Sequence, residues 1–368
     1  MTAAAGAPPG RILVIVTRRI GDVLLATPLI RSLKQAWPQS QIEVLVFEGT
    51  QGVLAGNPEI AAVHTIAERP GLFHHLALLA QLFRKYDLAL SLVPSDRPTL
   101  YAWITGKIRI GLLVDRPDQH WKRRFLDRWV AFDPDDTHTV RNHLALTVPL
   151  GIPAIADVVA AWRDSDTVAV DILLGKNCGV LAVLHTYPKF RYKMWHEDGW
   201  ITVARWLLDN GMRVALTGSP DPAERAYVDA IAAQLPDTVI NAAGKLTLGG
   251  TAALIARAQF YVGPDTAITH IAAATGIPTI ALFGPTDPVK WGPWPRHHPA
   301  ASNPWQRMGD QRVGNVQLVQ GRASCVPCGF EGCERHVGSS SDCLRHLPAQ
   351  TIINYLKTTG YEKSREHG

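Results

Sequence analysis

Arg11-Ile12-Leu13-Val14-Ile15-Val16, followed at once by Thr17-Arg18-Arg19-Ile20-Gly21-Asp22, decides the fold class of this chain. Five consecutive aliphatic residues with no polar alternation have the length and β-branched content of a strand buried on both faces. Such a strand needs helices above and below it, so the sheet it belongs to is parallel. Beyond the loop, Val23, Leu24, Pro28, Leu29, Ile30, Leu33 and Trp37 recur at helical spacing, which predicts a helix over residues 22–37. Strands at 42–47, 62–66, 88–93 and 108–111 and helices over 72–86 and near 142–150 continue the alternation.

After a polar stretch at 162–177 the pattern restarts. Strands are expected at 179–185, 213–217, 239–241, 260–262 and 279–283, with helices at 198–210, 222–235, 250–258 and 267–275 between them. The chain is therefore expected to be α/β, with two Rossmann-like doubly wound domains facing a cleft. Residues 1–165 form the first domain and 166–347 the second, followed by a helix and tail over 348–368 that could pack back on the first. Ligands of such sheets sit beyond the carboxyl ends of the strands, so the loops there carry the functional reading.

The 368 residues carry 46% hydrophobic and 19% charged side chains and a formal net charge of +5. This is ordinary globular composition and excludes fibrous or low-complexity classes. No apolar run reaches the ~20 residues of a membrane span, and residues 12–16 are too short for a signal-peptide core. A cytoplasmic location is expected. The basic surplus gathers between residues 107 and 128, where Lys107, Arg109, Arg116, Lys122, Arg123, Arg124 and Arg128 outnumber Asp115, Asp118 and Asp127. Trp121, Phe125 and Trp129 interleave with them. Nucleic acid, an anionic membrane or a phosphorylated substrate could meet such a patch, and a solvated face is the plainer reading.

The loop after the first strand lacks the G-x-G-x-x-G of a dinucleotide enzyme. It offers Asp22 at a helix start behind Arg18 and Arg19: a helix cap, or a general base with two arginines for an anionic acceptor group. The loop His185-Thr186-Tyr187-Pro188-Lys189-Phe190-Arg191-Tyr192-Lys193 sets cations and a hydroxyl at a strand end, as a phosphate ligand requires. Most specific is Val262-Gly263-Pro264-Asp265-Thr266-Ala267-Ile268-Thr269-His270. There a strand ends and a helix of small residues begins, presenting free N–H groups to a pyrophosphate.

In their order and spacing these segments resemble the bacterial heptosyltransferases of lipopolysaccharide core synthesis, glycosyltransferase family 9. The matching pieces are residues 11–16, Gly21 to Lys34, Lys193-Met194-Trp195, Asp265-Thr266-Ala267 with His270, and Leu282-Phe283-Gly284-Pro285-Thr286-Asp287-Pro288, so the resemblance runs from about Arg11 to Leu347. It implies a GT-B fold and an inverting, metal-independent transfer of a heptose from an ADP-sugar. By position Asp22 resembles the catalytic base. Thr186 and Lys193 match donor-phosphate positions, and Asp265 matches the residue that holds the heptose hydroxyls. Thr266, Ala267 and His270 lie around the pyrophosphate, and Lys245 and Leu246 near the nucleotide. The sequence departs from the family at Tyr187, where a second phosphate-binding Thr is common. It departs again at Pro222, where a ribose-binding Glu is expected, with Asp221 and Glu224 close by.

The expected partners are thus a nucleotide-sugar donor, an anionic glycolipid acceptor and the cytosolic membrane surface, with no nucleic acid, and the basic patch from Lys107 to Arg128 is expected to face that membrane-embedded glycolipid. No cofactor is required for catalysis. A nucleotide-sugar epimerase or a non-catalytic nucleotide-sugar binder could share the same architecture. Of five cysteines, Cys178 stands alone and Cys325, Cys328, Cys333 and Cys343 crowd together. Their spacing allows a structural zinc, reduced thiols or a local disulfide.

Overall fold

The computed structural model describes residues 7–175 and 179–358, the side chains of Leu72 and His74 excepted. Cys178 lies outside them. The chain divides into two compact units. The first takes the chain through Ala161 together with His297–Asn303; the second takes Trp162–Arg296 together with the chain from Pro304 on. The returning segment is tied into the first unit by polar bonds. Asp157 accepts from the His297 amide at 3.1 Å, and Asn303 Oδ1 accepts from the His138 amide at 3.2 Å.

Six strands form the first sheet: β1 (Arg11–Val16), β2 (Gln41–Phe47), β3 (Ala62–Ile66), β4 (Tyr86–Ser91), β5 (Gly106–Leu113) and β6 (Arg128–Ala131). Their order is β3-β2-β1-β4-β5-β6, and every pairing is parallel. Helices α1 (Ile20–Leu24), α2 (Thr27–Ala36), α3 (Leu72–Leu82), α4 (Asp96–Thr105), α5 (Thr139–Leu144) and α6 (Thr147–Leu150) belong to this unit. The helix expected over 22–37 is two helices. Pro28 has no N–H to offer the Leu24 carbonyl, and the Thr27 hydroxyl takes that carbonyl instead at 2.7 Å. Strand β6 and helix α4 escape sequence reading, because β6 is short, half-exposed and embedded in the basic stretch.

The second sheet holds β7 (Leu181–His185), β8 (Arg213–Thr217), β9 (Ile240–Asn241), β10 (Phe260–Pro264), β11 (Thr279–Phe283), β12 (Gln311–Val313) and β13 (Val316–Gln320). The order is β12-β13-β11-β10-β7-β8-β9, and only the edge strand β12 runs antiparallel. Around it lie α7 (Asp164–Leu174), α8 (Glu197–Asp209), α9 (Pro222–Ala232), α10 (Leu248–Ala256), α11 (Ala267–Thr275), α12 (Pro288–Trp291), α13 (Asp342–Arg345) and α14 (Ala349–Thr358). Helix α14 does not return to the first unit as expected. Its Ile352, Ile353 and Leu356 are buried in one core with Trp195, Trp200 and Leu207 of the second unit. The Trp195 indole N–H donates to the Leu347 carbonyl at 2.9 Å just before that helix.

Each sheet reverses its winding between its first and fourth strands, β1 and β4 in one, β7 and β10 in the other. At such a switch the connections leave in opposite directions, and a crevice opens at the carboxyl ends of the strands.

Candidate active site

In the first unit, β1 ends at Val16, Thr17 follows it, and the short α1 presents Asp22, which is 8% exposed. Burial pushes its carboxyl above the ordinary carboxylate range, with Arg18 and Arg19 opposing the shift. Arg18 Nε stands 3.6 Å from Asp22 Oδ1, so the arginine faces the carboxylate, and Arg19 is the N-cap residue of α1. Behind them His143 of α5 donates from Nδ1 to the Leu25 carbonyl at 3.1 Å. Burial holds its imidazole neutral, with a pKa of about 4. Nothing in the sequence singled out His143, because it reaches α1 only through the tertiary fold.

Beside the switch between β1 and β4 lies a crevice of about 530 Å³, lined by Thr17, Phe47, Arg69, Asp96, Arg97 and Lys122 among others. Lys122 is almost fully buried. Its ammonium donates to Asp96 Oδ1 at 2.6 Å, to the Pro94 carbonyl at 3.4 Å and to Gln119 Oε1. In the sequence Lys122 belongs to a basic patch that is either a solvated face or faces an anionic glycolipid; the structure makes it the floor of a crevice. Arg69, from the loop before α3, and Arg97, from the first turn of α4, carried no signal at all.

In the second unit, the strand ends at the β7–β10 switch gather most of the predicted donor residues. Lys193, from the 3-10 turn Arg191–Lys193, places Nζ 2.5 Å from Asp265 Oδ2, although 72 residues separate them. Thr266 is the N-cap residue of α11 yet makes no side-chain cap bond, so the first-turn amides of Ala267 and its successors stay available. Thr186 Oγ1 at the end of β7 and His270 Nδ1 on α11 are buried polar atoms without a hydrogen-bond partner among the described residues. Burial keeps His270 neutral, with a pKa of about 4. Unpaired buried polar atoms are costly, and these two lie together at the winding switch, where the crevice of such a sheet opens.

Lys245 and Leu246 lie elsewhere on the same edge, after β9, two strand spacings or ~10 Å from β7. The loop before them is joined to the one after β8 by the Gly244 amide on the Gly218 carbonyl at 2.9 Å. Gly244 has φ +71, and a side chain there would press on Arg225 and Pro220. The structure also separates Asp221 from Glu224. Asp221 Oδ1 caps α9 by accepting from the Ala223 and Glu224 amides. Glu224 instead faces the strand end, where it accepts the Ser219 hydroxyl.

Cys325, Cys328, Cys333 and Cys343 are free thiols. Among the described residues no three His, Cys, Asp or Glu side chains group so as to hold a metal ion. Cys343 is buried, which pushes its thiol up to about 12, whereas Cys325 and Cys333 are exposed. Among the described residues the four thiols thus do not gather into the closed tetrahedral site that their spacing allowed. Asp133-Pro134-Asp135 and Asp164-Ser165-Asp166, which share the D-x-D spacing of metal-dependent transferases, are a turn and a cap: Asp133 Oδ1 accepts from the Asp135 amide, and Asp166 Oδ2 from the Arg163 amide.

A family model described as glycosyltransferase family 9 (heptosyltransferase) matches residues 75–317. The chain is 30% identical over 291 residues to lipopolysaccharide heptosyltransferase 3 of Escherichia coli, covering 74% of this chain and 83% of that one. Among solved structures, a glycosyl transferase family 9 protein from Veillonella parvula superposes with a TM-score of 0.75 at 20% identity, covering 95% and 96% of the two chains. The E. coli heptosyltransferase WaaC with ADP gives a TM-score of 0.68 at 19% identity, over 95% of this chain and 100% of that one. These structural likenesses establish the two-domain GT-B fold.

Proposed function

Because the chain belongs to glycosyltransferase family 9, the heptosyltransferases, we propose that it moves a heptose from an ADP-sugar onto a lipopolysaccharide core or a related surface glycan. The observation that carries the donor assignment is the Lys193–Asp265 pair set against the uncapped start of α11, with Thr186 and His270 unpaired beside it. A diphosphate supplies acceptors for all of these donors: the Thr186 hydroxyl, the Lys193 ammonium and the first-turn amides. The relative solved with ADP supports the same choice of nucleotide.

In this reading Asp22 is the base. A carboxylate raised by burial is a stronger base than one in water, which suits it to take the proton of an acceptor hydroxyl. The hydroxyl oxygen forms its bond to the anomeric carbon while the bond from that carbon to the diphosphate breaks. One displacement inverts the configuration. The leaving ADP carries away the electron pair, and its growing charge meets Lys193 and the amides of α11 without a metal ion. Asp265 holds sugar hydroxyls and at the same time positions Lys193. Glu224, turned to the strand end beside the Gly218–Gly244 link, takes the ribose role that Pro222 cannot, with Lys245 and Leu246 along the nucleotide.

The acceptor belongs to the first unit. Arg18 flanks the base, and the cationic crevice floored by Lys122 suits an anionic sugar. The four cysteines serve as reduced thiols. The protein works in the cytoplasm and meets its glycolipid at the inner membrane surface; no helix among the described residues is long and apolar enough to cross a membrane.

The test is transfer from ADP-heptose to deacylated lipopolysaccharide cores, with UDP- and GDP-sugars as controls. Turnover of the donor without an acceptor would favour an epimerase instead. ADP binding without transfer to any core would favour a non-catalytic binder.

A further inference from the structure

Helix α3 has no charged residue: Leu72 to Phe83 contains only apolar side chains, two histidines and a glutamine. One stripe of it, Leu78, Leu79 and Leu82, packs on the core of the first unit. The opposite stripe is equally apolar and faces outward. Phe73 is 87% exposed and Leu76 54%, and Ala77 and Ala80 complete the i, i+3, i+4, i+7 pattern on the exposed face. A helix that is apolar on both faces is ordinarily covered on both.

The uncovered apolar surface continues beyond α3. Phe83, just past its end, is 64% exposed. Helix α4 packs beside α3, where the His75 and Tyr101 rings meet at 5.5 Å. Trp103 of α4 stacks edge-on against Phe125, which in turn meets Trp121 at 5.7 Å. Both tryptophans are more than 40% exposed. Cations outnumber acids around this surface: Arg69 before α3, Arg84 and Lys85 after it, and Arg116, Arg123 and Arg124 near Trp121, against Glu68, Asp115 and Asp118. No carboxylate lies within α3 itself.

We propose that the α3–α4 face, with the 3-10 segment Pro117–Phe125, is an interfacial docking surface for an anionic lipid bilayer. Charge and chemistry choose this occupant. Phe73, Leu76 and Phe83 enter the acyl boundary, the tryptophans sit at headgroup depth, and the flanking arginines and lysine meet anionic headgroups. A second copy of the chain would instead set the cation surplus of one rim against the same surplus on the other. The same elements open onto the crevice described above, since Arg69 precedes α3, Asp96 and Arg97 begin α4, and Lys122 lies in the 3-10 segment. A glycolipid head standing out of that bilayer reaches the crevice without leaving the membrane. The proposal rests on the glycolipid-acceptor reading for its purpose, but not for its test.

The test is co-flotation of the full chain with vesicles of phosphatidylcholine alone or mixed with phosphatidylglycerol. The wild type should partition onto the mixed vesicles and weakly onto neutral ones, with partial release in high salt. Phe73→Glu with Leu76→Glu should lower that partition by about tenfold or more. Both side chains are exposed, so folding should persist, checked by near-UV circular dichroism; Phe73→Ser serves as a milder second variant. Transfer to a deacylated, water-soluble core and ADP affinity should stay unchanged in each. Wild-type protein that ignores anionic vesicles, or variants that bind them equally well, overturns the proposal. So does a dimer that these variants split, since a second copy then covers the face. Vesicle binding by a chain that transfers to no core would leave this surface standing while the proposed function fails.

Discussion

Replacing Lys193 with alanine should separate what this residue does for the fold from what it does for the donor. Its ammonium lies 2.5 Å from Asp265, with side-chain exposures of 17% and 7%. Removing one member of a fully buried pair costs about 3–5 kcal/mol, because the remaining charge loses its partner. Here water still reaches the lysine, so a loss at or below the low end of that range, about 2–3 kcal/mol of folding stability, is expected. A charge-assisted bond to phosphate contributes about 1.5–3 kcal/mol. Lys193 is already engaged with Asp265 and must share itself, so we expect a net loss of about 1–2 kcal/mol in ADP binding, which is about 5- to 30-fold in Kd. Urea unfolding and calorimetric titration with ADP measure the two terms. Adding Asp265→Asn should restore most of the stability, because no unpaired charge then remains, but it should not restore ADP affinity. The reasoning is refuted if Lys193→Ala binds ADP within twofold of wild type, or if the double variant is as unstable as the single one.

Asp22→Asn should lower kcat by about 10²–10⁴-fold and leave ADP affinity intact. In the wild type, transfer should fade as pH falls through the raised Asp22 value, above the usual carboxylate range, and the pH–rate profile measures this. The same shift has a stability consequence. A carboxyl whose pKa is raised in the folded state loses stability as pH rises through that value, so Asp22→Asn should melt at a higher temperature than wild type at pH 7. Glu43 provides the opposite sign. Burial would raise it, but hydrogen bonds from His64, Tyr86 and Arg11 hold it at about 2, against 4.5 ordinarily. That stabilises the fold by about 3 kcal/mol above pH 4.5, lost progressively as pH falls toward 2. Glu43→Gln should therefore flatten the acid limb of melting temperature against pH. Lys122→Met keeps the volume of the crevice floor and removes its charge. It should raise the acceptor KM several-fold with ADP affinity unchanged, read by steady-state kinetics on a deacylated core.

The continuous run of residues 11–16 required a strand buried on both faces, and the alternation after it required a parallel sheet. Both follow from local periodicity, which a single sequence carries. The proposed donor motif was legible for the same reason: Asp265, Thr266, Ala267 and His270 lie within six residues, at one strand end and the first turn of one helix. The sequence by itself also fixed the charge-free composition of α3, although not which side of it water touches.

What the tertiary structure decided is every relation across loops. Lys193 meets Asp265 because β7 and β10 are neighbours at the winding switch. Asp221 is committed to a cap while Glu224 is not, and α14 packs on α8 because Trp195 and Leu347 anchor it there. Lys122 shows the difference most directly. In the sequence it is one cation among seven, and solvation is the plain expectation. In the fold it is almost fully buried among Asp96, Gln119 and the Pro94 carbonyl. Burial is a property of what arrives from elsewhere in the chain, and no local pattern records it.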